Sequence, residues 1–199
     1  MTTHGEDLKQ ATQVQGDEVE AALAIGDKRR ALTLLMARHG EGVYRFALAM
    51  TGDHHTADDV RQQVFVEAYR DLGRFAGRSS VQTWVYGIAR HRCLDAAKAR
   101  RRWDHRFKNA PPAEVEIDDR EPDREIDRNR LAGILATCLA KLAPAAREAV
   151  VLRYHHELSY DEAAAIAGDR AGTLQQRVAR ALRVLRRYIE AELCAGESG

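Results

Sequence analysis

Leu158-Ser-Tyr-Asp-Glu-Ala-Ala-Ala-Ile-Ala-Gly168, followed by Asp169-Arg-Ala-Gly172-Thr173-Leu-Gln-Gln-Arg177-Val-Ala-Arg180, reads as two short helices joined at a glycine. The Ser159 hydroxyl can cap the first helix, and Glu162 three residues on completes a capping box. Gly168 supplies the left-handed residue that ends it, and Gly172-Thr173 offers a cap for the second. Leu174, Val178, Ala181, Leu182 and Leu185 keep one apolar face for about three turns. Arg177, Arg180, Arg183, Arg186 and Arg187 fall largely outside that stripe. A helix packed on one side and basic on the other, after a glycine turn, is a helix-turn-helix. Such motifs place the N-terminal part of the second helix in the major groove. Thr173, Gln175, Gln176, Arg177, Ala179, Arg180 and Arg183 are therefore the expected DNA contacts, Gln suiting adenine and Arg suiting guanine or phosphate.

Working outward, helical periodicity dominates. Leu32, Leu35, Val43, Phe46, Ala47 and Met50 trace one stripe, with a break or bend expected near Gly40 and Gly42. Val60, Val64, Ala68 and Leu72 trace a second; Val81, Trp84, Val85, Ile88 and Cys93 trace a third. Residues 103–128 break the pattern with Pro111, Pro112 and Pro122 set among acids, the composition of a linker. Spacing returns from Ile134 to Leu142, and Pro144 is placed to open a helix over Ala145–Tyr154. The expected fold is all-α: two small helical domains joined by an acidic, proline-containing linker, the second carrying the helix-turn-helix. The boundaries read as a flexible tail at 1–27 with a short helix near Val19–Ile25, a first domain at 28–102, a linker at 103–128, a second domain at 129–194 and a tail at 195–199.

The chain has 199 residues and a net charge of only +1, but its charges are segregated. Residues 90–102 carry Arg90, Arg92, Lys98, Arg100, Arg101 and Arg102 against Asp95, whereas 114–127 are predominantly acidic. Cys93, Cys138 and Cys194 are far apart without a CxxC pair, which argues against a disulfide framework or zinc site. His54-His55 and His155-His156 lack the spacing and carboxylates of a metal site and read as exposed histidines. The N-terminus has no signal-peptide pattern and no run is apolar enough to span a membrane, so a cytoplasmic location is expected. Neither cofactor, metal, small-molecule substrate nor enzymatic activity is implied.

With both basic regions in view, the order of motifs resembles the extracytoplasmic-function (ECF) sigma factors, the compact two-domain class of bacterial RNA polymerase sigma subunits. The likeness covers about residues 30–102 and 130–193. Ala57-Asp58-Asp59-Val60-Arg61-Gln62-Gln63-Val64-Phe65 is similar to the family's polymerase-docking helix, which implies core RNA polymerase as a partner and Asp58, Asp59, Gln62, Gln63 and Phe65 as contacts. Residues 75–90, including Ser79, Ser80, Trp84, Tyr86 and Arg90, are similar to its loop and helix for opening the -10 element, with His91, Lys98, Arg100 and Arg101 continuing the track. Unpaired bases need an aromatic platform, a small polar rim and cations along the backbone. Trp84, on the apolar stripe, individually suits the core better, and Ser79 equally suits a helix cap. In the second domain, the helix-turn-helix implies recognition of the -35 element. The resemblance further implies an anti-sigma factor as regulator. Gln175-Gln176 stand where Lys or Arg followed by Ser is frequent, and Gln63 replaces a usual Glu. Those departures keep open a sigma-like mimic that sequesters an anti-sigma factor without initiating transcription; an ordinary two-site DNA regulator, binding DNA without polymerase, is a third reading.

A stretched 26-residue linker spans roughly 85–95 Å, but relaxed its ends lie about 25–30 Å apart. DNA sites two helical turns apart are separated by roughly 70 Å. The linker permits contact at both sites without fixing the spacing.

Overall fold

The computed structural model describes residues 18–106 and 125–196. Among these there is no strand, and the chain runs through eight α-helices: α1 at 18–24, α2 at Lys28–Thr51, α3 at His54–Asp71, α4 at Val81–Arg106, α5 at Glu125–Ala140, α6 at Pro144–Val150, α7 at Tyr160–Ala167 and α8 at Ala171–Gly196. A 3-10 turn, Leu72–Arg74, follows α3, and a π-helical turn, Val151–His155, extends α6.

Short polar side chains set the helix boundaries. Asp27 accepts from Arg30 N at 2.9 Å to cap α2, Gly52 ends it in the left-handed region, and Asp53 accepts from Thr56 N at 2.7 Å to start α3. Two hydrogen bonds from Thr56 hold the Asp53 carboxyl below its usual range. Ser80, rather than Ser79, caps α4, accepting from Thr83 N at 3.1 Å. Pro144 opens α6, where a missing N–H costs nothing. Arg147 reaches back to the carbonyls of Ala140 at 2.7 Å and Leu142 at 3.3 Å, satisfying the end of α5.

Several boundaries differ from the sequence reading. The short helix expected near Val19–Ile25 forms as α1 at 18–24, and its buried Val19 and Ala22 join it to the core rather than to a tail. Helix α2 runs unbroken through Gly40 and Gly42, because its continuous buried stripe of Ala31, Leu35, His39, Val43, Phe46 and Ala47 outweighs the weak helix propensity of two glycines. The expected linker at 103–128 is helical at both ends, up to Arg106 and from Glu125; Pro111, Pro112 and Pro122 lie outside the described residues. Helix α8 begins at Ala171, ahead of Gly172-Thr173. The second half of the helix expected over Ala145–Tyr154 is the π-turn, after which Glu157 takes φ 53°.

Helices α2, α3 and α4 pack as a bundle, and α6, α7 and α8 as a second. The two share a core. One continuous apolar cluster runs from Phe46, Val64 and Val85 to Leu152, Ala164, Leu174 and Val178, while a smaller one joins Cys138, Leu142, Val150, Ala181 and Leu185. Cys93 lies in the larger cluster, and burial pushes its thiol up to about 12, leaving it protonated and unreactive at neutral pH.

Candidate nucleic-acid interface

The helix-turn-helix forms as its residues dictate. Ser159 accepts from Glu162 N at 3.2 Å, while the Glu162 carboxylate accepts from Ser159 N at 3.0 Å. Gly168 closes α7 at φ 68°. Helix α8 buries Leu174, Val178, Ala181 and Leu185. Thr173, Gln175, Gln176, Ala179, Arg180 and Arg183 consequently face solvent on one side. Arg180 Nε donates to the Gln176 carbonyl at 3.3 Å, so its guanidinium lies along the helix surface. Arg177 is different. It is half-buried and pairs with Asp169 at 2.5 Å, which ties the start of α8 to the turn.

The second set of expected DNA residues lies on α4 and the loop before it. Ser79, His91, Lys98, Arg100 and Arg101 are exposed, and Arg101, Arg102, His105 and Arg106 line a shallow basic depression at the end of the helix. Trp84 is half-buried with its ring 5.1 Å from that of Phe75. Ser80 is occupied by Thr83 at 2.8 Å and Glu162 at 3.4 Å. Tyr86 is buried and Arg90 is half-buried. The Tyr86 hydroxyl meets His156 Nδ1 at 2.8 Å, and its ring is 2% exposed against Phe46. Arg90 Nε donates to Glu148 at 2.5 Å, with the two side chains 22% and 8% exposed.

Burial sets the charge states here. It lowers His156 to about 3, helped by His155, Arg45 and His39, and lowers His39 to about 4, helped by Arg38. Both imidazoles are neutral. Burial also pushes up the Glu148 carboxyl, against the pull of Arg90. The expected exposure of His155-His156 holds only for His155. The π-turn inserts an extra residue into the helical ladder, and His156, just past it, is 8% exposed. Glu148 and His156 had no periodic sequence signal, since their burial arises from packing between distant helices.

A third face lies on α3. Asp59, Gln62 and Gln63 are exposed, and Asp58 is half-buried beside Arg61 at 2.5 Å. Phe65 is 5% exposed in the core, so it shapes this face from within. Val66 and Tyr69, overlooked in the sequence, are the exposed large apolar residues there. Asp59, Gln62, Gln63, Val66, Glu67, Arg70, Asp71 and Arg92 line a shallow groove. No group of three or more metal-ligating side chains occurs among the described residues, and no described helix is long and apolar enough to cross a membrane.

A helix-turn-helix with a solvent-facing polar and basic helix, joined to a three-helix bundle with a basic tail, defines a helical DNA-binding protein of two modules. Comparison with known proteins gives that class its identity. The model for Sigma-70 region 2 matches residues 35–103, and that for Sigma-70, region 4 matches residues 132–185. The chain is 34% identical over 168 residues to the ECF RNA polymerase sigma factor SigC of Mycobacterium tuberculosis, covering 83% of this chain and 88% of that one. It is 29% identical over 183 residues to the RNA polymerase sigma-H factor of Pseudomonas aeruginosa, covering 85% and 91%. The solved structure of CnrH in complex with the cytosolic domain of CnrY matches with a TM-score of 0.65 at 28% identity, over 88% of this chain and 98% of that one. The chain belongs to the ECF RNA polymerase sigma factors.

Proposed function

We propose that this sigma factor divides its work among the three faces. The polar face of α3, Asp58, Asp59, Gln62 and Gln63 with Val66 and Tyr69 beside them, docks on core RNA polymerase. The loop and helix containing Ser79, Ser80, Trp84, Tyr86, Arg90, His91, Lys98, Arg100 and Arg101 engage the -10 element as it opens. Helix α8 reads the -35 element through Thr173, Gln175, Gln176, Ala179 and Arg180, with Arg183 on the phosphate backbone and Arg177 holding the helix to its turn. The modules at 28–102 and 129–194 each carry one promoter element, and the protein acts by binding alone, without covalent chemistry, in the cytoplasm where the polymerase works.

One observation carries this reading: α8 buries Leu174, Val178, Ala181 and Leu185 while leaving Gln175, Gln176 and Arg180 to solvent. That is the division a groove-reading helix needs, anchored on one side and free on the other. CnrH was solved with the cytosolic domain of CnrY, and the likeness supports an anti-sigma factor as the regulator here. The test is comigration with core polymerase on size exclusion. The wild-type chain should elute with the enzyme, and Asp58→Asn with Gln62→Ala and Gln63→Ala should elute free. Elution of the wild-type chain apart from the polymerase would refute the docking role.

A further inference from the structure

The turn between α7 and α8 has little side-chain packing. A methyl group at Gly168 or at Gly172 would meet nothing within 4 Å, and Arg170 between them is exposed. Asp169 spans this turn. Its N–H donates to the Ala164 carbonyl at 2.9 Å, closing the last turn of α7. Its carboxylate accepts from Arg170 N at 3.3 Å, where α8 begins, and from Arg177 Nη2 at 2.5 Å. Arg177 lies two turns into α8, and its side chain reaches back toward the N-terminus, the direction in which helical side chains lean. Asp169 and Arg177 are 24% and 27% exposed. The Glu148 carboxyl of α6, raised by burial and pulled down by Arg90, also feels Arg177 and Asp169. The pair therefore sits on the flank of α8 that faces the protein, away from Gln175, Gln176 and Arg180.

We propose that Asp169 is a positioning residue for promoter reading: it withholds Arg177 from DNA and fixes the angle at which α8 presents Gln175, Gln176 and Arg180. The inference rests on the assignment of α8 to the -35 element. Leu174, Val178, Ala181 and Leu185 anchor α8 by apolar burial, which has no preferred direction. A charge-assisted hydrogen bond has one. Small errors of angle are costly at the contacts. At about 1.5 Å per residue, Arg180 lies about 15 Å along α8 from the turn, so a tilt of about 5° there moves it by about 1.3 Å. A binding constellation tolerates only about 0.5 Å. The attraction of the exposed Arg183 for phosphate does not depend on so exact a fit, because it carries no sequence information. Loss of the pair therefore costs discrimination among sequences and leaves the attraction to phosphate unchanged.

The test uses the full chain reconstituted with core polymerase and a pool of duplex DNA of random sequence. The element enriched by the wild-type complex and the unselected pool then serve as specific and non-specific probes. Asp169→Asn, Arg177→Gln and the two combined should each lower the ratio of specific to non-specific affinity by about tenfold, the value of one well-placed base contact. The combined variant should lose no more than either single one, since both break one bond. The slope of log affinity against log salt on the unselected pool should stay at the wild-type value in all three. A slope reduced by about 1 in Arg177→Gln would place that arginine on a phosphate and overturn the inference, and this reading decides the matter even if Asp169→Asn does not fold. An unchanged ratio, an equal loss on both probes, or additive losses in the combined variant would also overturn it, while leaving α8 as the reading helix. A wild-type complex that enriches no element would overturn the assignment of α8, and the inference with it.

Discussion

Gly42→Ala probes the packing at the centre of the molecule. A methyl group at Gly42 would sit 2.3 Å from the Tyr86 hydroxyl and 3.8 Å from His156 Cε1. The hydroxyl has little room to retreat, because Tyr86 is 2% exposed and its ring is in edge contact with Phe46 at 5.8 Å. Overpacking of this kind costs about 1–3 kcal/mol, and pushing the hydroxyl off His156 Nδ1 loses a buried hydrogen bond worth about 1 kcal/mol. Replacing a mid-helix glycine by alanine returns about 1 kcal/mol. The net loss is roughly 1–3 kcal/mol, or a Tm lower by roughly 2–10 °C for a chain of this size. Gly40→Ala is the internal comparison: it lies on the same helix, and a methyl there meets nothing within 4 Å, so it should raise Tm by roughly 2–4 °C. Thermal unfolding followed by circular dichroism measures both. A Gly42→Ala chain as stable as Gly40→Ala would refute the close approach of Tyr86.

Ser159→Ala removes the capping box of α7 and should destabilise the chain by about 0.5–2 kcal/mol in urea unfolding; an unchanged midpoint would count against the cap. Arg183→Ala removes an exposed cation from α8 and should weaken DNA binding similarly across sequences while reducing the slope of log affinity against log salt by about 1; a shift in sequence preference at constant slope would contradict a phosphate role. Acid should also destabilise the chain. His156 and His39 have folded values below that of a free imidazole, so the unfolded chain binds more protons, and their contribution is full above about pH 6.5 and lost as pH falls toward 4. Glu148 acts with the opposite sign, since its raised value lets the folded state hold a proton more readily. Glu148→Gln should therefore steepen the acid loss in a urea series between pH 7 and 5, and a shallower loss would show the sign to be wrong.

The helices and the helix-turn-helix were legible because they rest on local rules. Ser159, Glu162 and Gly168 specify the turn within ten residues, and the spacing of Leu174, Val178, Ala181 and Leu185 fixes which side of α8 is buried. The contact between modules was not legible. Tyr86, Arg90, Glu148 and His156 meet across separations of 58 and 70 residues, and the π-turn displaces His156 from the register that a 3.6-residue period would give it. Phe65 shows the same gap on a smaller scale. Its motif marks the docking helix, but only the packing of α3 on α2 and α4 decides that the ring faces inward and that Val66 and Tyr69 face out.

The most direct measurement of promoter reading is transcription from genomic DNA by core polymerase reconstituted with the purified chain, with transcript starts mapped by sequencing. The wild-type chain should give a discrete set of starts that share an upstream element, and Gln175→Ala with Gln176→Ala and Arg180→Ala should lose or redistribute them. Starts that are absent with the wild-type chain, or identical in the α8 variant, would contradict a promoter-reading role for that helix.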